Sequence, residues 1–271
     1  MGKERLDVLL VERNLVESRE KAKRLIMAGL VFSETERLDK PGMKVERTIP
    51  LHIKEGLRYV GRGGYKLEKA LKTFQVTIAG KTVVDIGAST GGFTDCALQN
   101  GAKQVYAIDV GYNQLDWRLR NDERVHVHER TNFRYVTEEM FTHGRPNVAT
   151  IDVSFISLRL ILPVLKSILL EESDVIALVK PQFEAERHQV GKKGIVRDPK
   201  VHEEVLEKIL LFSKEEGFQF FDVTYSPITG GEGNIEYLLH LGWQKKENDE
   251  KSVNLKASIA SLVEEAHRML K

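Results

Sequence analysis

The 271-residue sequence contains one cysteine, Cys96, so no disulfide can form within the chain. It also lacks an excess of charge of either sign, since 41 basic and 40 acidic residues leave a formal net charge of +1. This balance excludes a protein that binds polyanions over its whole surface. Any nucleic-acid site must therefore be a local patch on a globular protein.

Long apolar runs are absent as well. The most apolar stretch, residues 158–170, contains Arg159, Pro163 and Lys166 and is too short to span a bilayer. The first residues have no apolar core of the length that a signal peptide needs. We therefore expect a cytoplasmic protein without a membrane partner, and no required protein partner is evident in the sequence.

The chain is organised around residues 83–111. Predicted strands at 81–86 and 105–108 enclose a glycine turn at 87–92 and a helix at 93–100, which together form a β-α-β unit. The unit lacks the G-x-G-x-x-G spacing of a dinucleotide site, because its glycines are Gly87, Gly91 and Gly92. That spacing makes a poor phosphate cradle and disfavours an NAD-linked oxidoreductase.

A nucleoside ligand without a phosphate suits this unit better. The glycine turn admits the amino-acid end of a ligand, and Asp109 can accept both hydroxyls of an unmodified ribose. S-adenosylmethionine has these features, whereas an ordinary tight strand-to-helix turn is the alternative. Asn132 and Phe133 follow a later strand and could contact the edge and face of adenine. The predicted cofactor contacts are Asp85, Gly87, Ser89, Gly91, Gly92, Phe93, Asp109, Asn132, Phe133 and Asp152.

Five further strands are predicted at 125–129, 148–155, 175–179, 218–226 and 235–241, among helices at 65–74, 158–170, 199–216 and 253–270. They indicate an α/β domain over residues 65–271. Asp152 and Lys180 fall at the carboxyl ends of two strands, where the glycine turn also lies. His126 and His128 share one strand face, but no third ligand follows at useful spacing, so we expect no metal site.

Residues 1–58 form a separate predicted module, followed by a linker at 59–64. The module carries 13 Lys and Arg against 10 Asp and Glu. Ser18 is the predicted N-cap of a helix whose Arg19, Lys21, Lys23 and Arg24 remain in solvent. This basic face suits RNA, although a merely solvated helix surface has the same composition. A basic loop at residues 191–198 could likewise contact RNA or be only a solvated surface.

The pattern R-L-D-V-L-L-V-E-R-N-L-V-E-S-R-E-K-A-K-R-L-I-M-A-G-L-V-F, followed by D-K-P-G-M-K-V, resembles the S4 RNA-binding domain. The resemblance implies a fold that grips structured RNA through its phosphates. One departure is S-E-T-E at residues 33–36, where such domains often have Asn-Gly. The residues expected to contact RNA are Arg5, Ser18, Arg19, Lys21, Lys23, Arg24 and, in the linker, Arg62.

Four motifs, V-V-D-I-G-A-S-T-G-G-F, I-D-V-S-F, L-V-K-P-Q-F and N-I-E-Y, together resemble the FtsJ-type RNA 2′-O-methyltransferases. With Y-V-G-R-G-G-Y-K-L and E-R-T-N-F-R, the closer resemblance is to the TlyA family of ribosomal RNA cytidine 2′-O-methyltransferases, also named hemolysin A. Asn132 stands where FtsJ-type enzymes have Asp, and Gly61 stands where the linker motif has Ser. The Lys-Asp-Lys-Glu tetrad of FtsJ-type enzymes maps onto Lys66, Asp152, Lys180 and Glu236.

This resemblance implies a Rossmann-like class I methyltransferase sheet of seven strands, mostly parallel with the last strand antiparallel, and a small N-terminal α+β RNA-binding domain. It implies S-adenosylmethionine as cofactor and ribosomal RNA or ribosomal subunits as partner. It also implies that Lys180 is the base, assisted by Lys66, Asp152 and Glu236. Two other functions stay open: an RNA-binding assembly factor that retains a cofactor site, and a membrane-lytic hemolysin.

Overall fold

The computed structural model describes residues 2–27, 29–54, 58–245 and 255–270. The chain divides into two compact units, Met1–Arg58 and Tyr59–Lys271. Each unit has its own apolar core, so each is described by itself.

The first unit packs two short helices against small antiparallel sheets. Strand β1 pairs with β4, and β2 lies between β3 and β5. Leu6, Leu10 and Ile26 are fully buried where the helices meet. Strand β1 ends at Arg5, which pairs with Lys44, and α1 begins at the next residue. The elements are β1 (Lys3–Arg5), α1 (Leu6–Glu12), α2 (Arg19–Met27), β2 (Val31–Ser33), β3 (Glu36–Arg37), β4 (Lys44–Glu46) and β5 (His52–Ile53).

The second unit is a seven-stranded sheet in the order β11-β12-β10-β9-β6-β7-β8. Strands β6 to β10 pair in parallel, and β12 is antiparallel to both of its neighbours. The predicted fold class is therefore confirmed. The strands are β6 (Thr82–Ile86), β7 (Gln104–Ile108), β8 (Val125–His128), β9 (Val148–Ile151), β10 (Ser173–Val179), β11 (Phe218–Tyr225) and β12 (Tyr237–Trp243).

Helices cover both faces of this sheet, which explains why its central strands are almost continuously apolar. Val83 and Val84 are adjacent on β6 and belong to different core clusters, one on each face. Cys96 is fully buried in one of these clusters, as expected of a small core residue. The helices are α3 (Gly63–Phe74), α4 (Gly92–Gln99), α5 (Trp117–Arg120), α6 (Leu162–Ile168), α7 (Pro181–Glu184), α8 (Pro199–Glu215) and α9 (Leu255–Leu270).

Two segments of the second unit differ from the sequence prediction, and the predicted last helix starts outside the described residues. The helix expected at 158–170 is a 3₁₀ turn followed by α6, and Pro163 occupies the first turn of α6, where it displaces no helical hydrogen bond. Residues 59–64 lie within the second unit instead of forming a flexible linker, because Tyr59 is buried in the core. Helix α9 begins at Leu255, and residues 253 and 254 of the predicted helix lie outside the described residues.

Candidate active site

A cavity of about 560 Å³ lies at the carboxyl edge of the parallel strands in the second unit. Its walls include the glycine turn after β6, the loops after β9 and β10, the start of α3 and the loop before β12. The predicted site residues that line it are Arg62, Lys66, Gly87, Ser89, Gly92, Phe93, Asp152, Lys180 and Glu236. The glycine turn and all four members of the predicted tetrad therefore share one cavity.

The four tetrad side chains form a continuous chain of ion pairs. Lys66 Nζ donates to Glu236 Oε2 at 2.7 Å and lies 3.6 Å from Asp152 Oδ2. The other carboxylate oxygen, Asp152 Oδ1, lies 2.6 Å from Lys180 Nζ. Asp152 thus stands between two lysines. The side chains of Lys66, Lys180 and Glu236 are exposed by only 10%, 9% and 2%, so this chain of charges is largely desolvated.

Strand topology brings three of these residues together. Asp152 directly follows β9 and Lys180 directly follows β10, and these two strands are parallel neighbours whose carboxyl ends meet. Strand β12 runs the other way and pairs Tyr237 with Val179, so the residue before its start, Glu236, falls at the same edge. Lys66 reaches the cavity from the first turns of α3.

The electrostatic environment keeps Lys66 charged. Burial disfavours the ammonium form, but the carboxylates of Asp152 and Glu236 outweigh burial and raise the pKa of Lys66 above its ordinary value. Lys66 therefore presents a fixed positive charge to Asp152, which also contacts Lys180. Lys180 Nζ has a second partner, because it donates to Ser154 Oγ at 3.0 Å.

The glycine turn approaches the tetrad closely at Gly87. This residue has a φ of +84°, and a Cβ built on it would lie 2.5 Å from the carbonyl oxygen of Asp152. The loop that carries Asp152 can therefore reach the turn only because a hydrogen occupies this position. Gly91 has a similar conformation, with a φ of +95°, but it packs against Leu119 and does not line the cavity.

Asp85, a predicted cofactor contact, occupies a buried position that supports the site. Its fully buried carboxylate accepts hydrogen bonds from Thr94 Oγ1 at 2.7 Å and Thr150 Oγ1 at 3.1 Å. It does not line the cavity. Burial raises the pKa of Asp85 to about 7, against the opposing effect of the two hydroxyl donors. Asp85 joins β6 to α4 and β9 beneath the site.

Asp109 holds the glycine turn from the neighbouring strand. Its two carboxylate oxygens accept hydrogen bonds from Ser89 N at 2.8 Å and from Gly111 N at 2.6 Å. It does not line the cavity, but each carboxylate oxygen has a second lone pair, so the group can still accept ligand hydroxyls. The geometry leaves Asp109 competent for the predicted ribose contact.

The two predicted adenine contacts, Asn132 and Phe133, lie in the turn after β8. Phe133 is buried in the apolar core with residues of the sheet. The burial follows from its place in a 3₁₀ turn over the core. Asn132 Oδ1 accepts a hydrogen bond from Arg134 N at 3.1 Å and caps that turn. Neither residue lines the cavity.

Several cavity residues were missed by the sequence analysis, although they lie in its quoted motifs. Phe155 is 91% exposed with a φ of +63°, and its ring lies 4.9 Å from that of Phe183. Gln182 Oε1 is buried and has no hydrogen-bond partner among the described residues. Their position in the sequence could have identified them, since Phe155 and Gln182 closely follow Asp152 and Lys180 at the ends of strands.

The basic residues of the first unit fall into two groups. Arg5 and Arg19 both contact Asp7, a fully buried carboxylate that the sequence analysis missed. Hydrogen bonds from Arg5 are the largest cause that lowers the pKa of Asp7 to about 2. The second group lies on α2, where Lys21 pairs with Glu17, Lys23 pairs with Glu20 and Arg24 is exposed. Ser18 caps α2 as predicted, because its Oγ accepts a hydrogen bond from Lys21 N at 3.2 Å.

Within the described parts of the chain, no helix has both the length and the apolarity needed to cross a membrane.

Comparison with known families agrees with the two units. The FtsJ-like methyltransferase family matches residues 59–243, and the S4 domain matches residues 4–48. Each match lies within one of the compact units.

Close relatives cover almost the whole chain. YqxC of Bacillus subtilis, provisionally named an rRNA methyltransferase, is 65% identical over 99% of this chain and 96% of its own length. The Mycobacterium tuberculosis protein named 16S/23S rRNA (cytidine-2′-O)-methyltransferase TlyA is 43% identical over 89% of this chain and 90% of its own length. A solved structure from Streptococcus thermophilus, provisionally described as a hemolysin, has 53% identity and a TM-score of 0.75, covering 99% of this chain and 97% of that one. The chain therefore belongs to the FtsJ-like methyltransferase family, carries an N-terminal S4 domain and is a relative of the TlyA proteins.

Proposed function

We propose that this protein transfers a methyl group from S-adenosylmethionine to the ribose 2′-hydroxyl of a cytidine in ribosomal RNA. The observation that carries the proposal is the shared cavity, in which the ion-paired tetrad and the glycine turn are both wall residues. The cytidine and the ribosomal RNA come from the name of the Mycobacterium tuberculosis relative.

The residues present fit S-adenosylmethionine. Gly87 and Gly92 line the cavity without side chains, and the turn lacks the G-x-G-x-x-G spacing of a phosphate cradle. Asp109 retains acceptor capacity for ribose hydroxyls, and Ser89 and Phe93 line the same cavity. When bound, S-adenosylmethionine supplies a methyl group that is already activated by its sulfonium. The chain must then hold the 2′-hydroxyl and manage its proton.

Lys180 is the proposed base. A ribose hydroxyl is a very weak acid, so its attack requires removal of the proton or stabilisation of the developing alkoxide. A lysine accepts a proton only when its amine is neutral, and Lys180 Nζ is held at the cavity wall by Asp152 Oδ1 at 2.6 Å and Ser154 Oγ at 3.0 Å. Asp152 orients both lysines, and Glu236 holds Lys66. Positioning in a desolvated cavity supplies much of the remaining acceleration.

Recognition of the RNA is assigned to the first unit. Its S4 match and exposed cations suit phosphate contacts, which fix the position of an RNA without reading its sequence. Arg62 lines the catalytic cavity itself and is a candidate contact for the target nucleotide. A paired nucleotide has to leave its helix to enter such a cavity, which explains the need for a separate gripping module.

The test is transfer of labelled methyl from S-adenosylmethionine to purified small and large ribosomal subunits, assayed separately. Wild type is expected to produce labelled dinucleotides that resist RNase, because a 2′-O-methyl group blocks cleavage, and Lys180→Ala is expected to produce none. Cofactor binding without transfer to either subunit or to free ribosomal RNA would contradict the proposal and favour an RNA-binding assembly factor.

A further inference from the structure

A single buried amide in the second unit holds two segments of the cavity wall together. Asn234 is only 4% exposed, and its Oδ1 accepts a hydrogen bond from Val196 N at 3.2 Å. Its Nδ2 donates to Gly194 O at 2.9 Å and to Gly231 O at 3.0 Å. The Asn234 side chain therefore joins the basic loop to the turn at residues 229–233, and both segments contribute residues to the cavity.

The basic loop has a second anchor at the same point. The carbonyl oxygen of the buried Val196 lies 2.9 Å from Nε2 of His202, a fully buried residue of α8. Because a carbonyl can only accept, Nε2 carries the proton, and Nδ1 accepts from the hydroxyl of Tyr237 at 2.8 Å. Tyr237 directly follows Glu236. Both backbone polar groups of Val196 are thus tied to the segment that carries Glu236, one by Asn234 and the other through His202.

Hydrogen bonds within the basic loop shape its tip. Gly194 N donates to Gly191 O at 2.8 Å, and Gly191 N donates to Ile195 O at 3.0 Å, which closes a tight turn around Lys192 and Lys193. Lys193 lines the cavity, whereas Lys192 does not. The anchors at Val196 therefore determine where one lysine of this turn stands relative to the tetrad.

Lys193 differs from the lysines of the tetrad in its charge partners. Lys66 and Lys180 pair with acids, but Lys193 forms no ion pair with any residue that the structure describes. In RNA the carbon that carries the 2′-hydroxyl is bonded to the carbon that carries the 3′-phosphate, so a ribose presented to Lys180 brings that phosphate close to the tetrad. Glu232 also lines the cavity and repels phosphate, so a cation is needed there to offset this acid.

We propose that Lys193 contacts the 3′-phosphate of the target nucleotide and that Asn234 is the positioning residue that holds the basic loop for this contact. The proposal rests on the proposed function, since it assigns the phosphate to the ribosomal RNA substrate. A phosphate contact fixes the register of an RNA without reading its sequence. At this place it would align the neighbouring 2′-hydroxyl with Lys180.

The first experiment compares Lys193→Gln with Lys192→Gln in the full-length protein. Each substitution removes one positive charge from the same turn, so a general attraction between the loop and RNA predicts equal effects. We expect Lys193→Gln to raise the KM for the methylated ribosomal subunit by roughly tenfold, with kcat near its wild-type value. Lys192→Gln is expected to change KM by no more than about twofold. Equal effects of the two substitutions would overturn the contact.

Salt dependence tests whether the partner of Lys193 is a phosphate. Loss of one phosphate contact reduces the slope of log kcat/KM against log salt by about 0.7 to 0.9. This reduction is expected for Lys193→Gln, and a wild-type slope is expected for Lys192→Gln. A raised KM with a wild-type slope in Lys193→Gln would mean that Lys193 contacts an uncharged part of the RNA, which overturns the phosphate assignment.

A double-mutant cycle tests the positioning role of Asn234. Asn234→Ala removes the hydrogen bonds of its side chain to Val196, Gly194 and Gly231 and is expected to raise KM. If its effect passes through Lys193, adding Lys193→Gln raises KM by less than about twofold more. A full tenfold effect of Lys193→Gln in the Asn234→Ala background would overturn the positioning role. A fall in kcat with unchanged KM would do the same, because Asn234 would then act on Glu236.

Hydrogen exchange shows whether the effect of Asn234→Ala is local. Exchange in residues 191–197 is expected to become faster, with exchange in β10 unchanged. Equal acceleration in β10 would mean general destabilisation and would contradict positioning.

The outcomes separate this inference from the proposed function. Failure of wild type to transfer methyl groups to either subunit contradicts the proposed function itself. Normal wild-type transfer together with equal KM values for Lys193→Gln and Lys192→Gln overturns only this inference.

Discussion

Both units place one aspartate between two cations, and the two arrangements differ in ways that suit different tasks. In the first unit Asp7 contacts Arg5 and Arg19, whose side chains are about half exposed. In the second unit Asp152 contacts Lys66 and Lys180, whose side chains are 10% and 9% exposed. The first arrangement is at the surface, and the second lines a cavity.

The difference teaches what each cation can do. An arginine keeps its charge under all ordinary conditions and offers a rigid fork of donors, which suits recognition of phosphate. A lysine can give up its proton when its surroundings disfavour the charge, which suits proton transfer. Burial of the lysines adds to this difference, because electrostatic interactions are stronger where water is excluded. The same acid-between-cations pattern can thus serve binding at one place and catalysis at the other.

Replacing Lys180, the proposed base, by arginine is the most severe test of this comparison. Lys180→Arg keeps a positive charge near Asp152 but removes a group that can become neutral. We expect methyl transfer to fall by about a thousandfold, as on removal of a general base, and Lys180→Ala to fall at least as far. The measurement is the single-turnover rate of labelled methyl transfer to ribosomal subunits, with cofactor affinity determined by calorimetry.

Lys69→Ala is the matched control, because Lys69 lies on α3 with Lys66 but contacts the ring of Tyr225 at 3.5 Å. It is expected to change the rate by no more than about twofold. Substantial activity in Lys180→Arg would show that Lys180 acts as a fixed charge for the alkoxide, and the contrast between the two aspartates would then lose its chemical basis.

Replacing Lys66, the buried lysine on the other side of Asp152, is expected to have the second largest effect, which is a loss of folding stability. Lys66→Met leaves Glu236, a carboxylate exposed by only 2%, without its donor at 2.7 Å. Removing one partner of a buried pair costs about 3 to 5 kcal/mol of unfolding free energy. Arg19→Met, which removes one of the two half-exposed partners of Asp7, is expected to cost only about 1 kcal/mol. Urea denaturation measures both.

A double variant separates the charge of Lys66 from its role in folding. Lys66→Met combined with Glu236→Gln removes both charges, so most of the lost stability should return. The rate of methyl transfer should remain about a hundredfold below wild type, because Asp152 then lacks the positive charge of Lys66 beside it. Recovery of activity along with stability would mean that Lys66 and Glu236 serve the fold alone.

The sequence predicted the sheet, and strand topology explains why residues of the predicted tetrad meet in one cavity. Parallel strands end at a common edge, so Asp152 and Lys180 could be placed together from the strand pattern before any contact was known. Glu236 was different, because its position depends on the antiparallel register of β12 beside β10. Local periodicity does not specify that register, and the prediction of Glu236 rested on the family resemblance.

Replacing a glycine by alanine is expected to have a smaller effect on stability. Comparison of Gly87 with Gly80 separates the cost of the backbone conformation from the cost of a steric contact. Gly87→Ala and Gly80→Ala both place a side chain at positive φ, +84° and +74°, which costs about 1 kcal/mol each. Gly80 has open space around its Cβ position, whereas the Cβ at Gly87 meets the carbonyl of Asp152 at 2.5 Å. We expect about 2 kcal/mol more destabilisation at Gly87 and a clear loss of methyl transfer there. Equal losses in the two variants would argue against this approach of turn and loop.

Other features could not be predicted from sequence, because they depend on what a side chain packs against. Phe133 follows a strand like a ligand-contacting residue, yet it is buried in the core. Asp7 lies in an otherwise apolar helix stripe, and only the fold places it between Arg5 and Arg19. An acidic residue in a helix is usually assigned to solvent, since burial of an unpaired carboxylate is costly.

Buried aspartates with and without cations should respond to pH in opposite ways. The hydroxyls of Thr94 and Thr150 donate to Asp85, and burial raises its pKa from 3.8 to about 7, so the folded protein holds a proton that the unfolded chain has already lost between about pH 4 and 7. Its contribution to stability is therefore lost as pH rises through that range, and Asp85→Asn should gain about 2 kcal/mol over wild type between pH 5 and 8. Asp7 has a pKa lowered to about 2, so its contribution is complete above about pH 4 and is lost only as pH falls. Asp7→Asn should thus lose a constant amount of folding stability over the same pH range.

Both tryptophans, Trp117 and Trp243, lie in the second unit, so their fluorescence measures unfolding of the Asp85→Asn variant, while hydrogen exchange in α1 measures the stability of Asp7→Asn. Parallel pH curves for wild type and Asp85→Asn would mean that Asp85 is ionised in the folded protein and would remove the contrast between the two carboxylates.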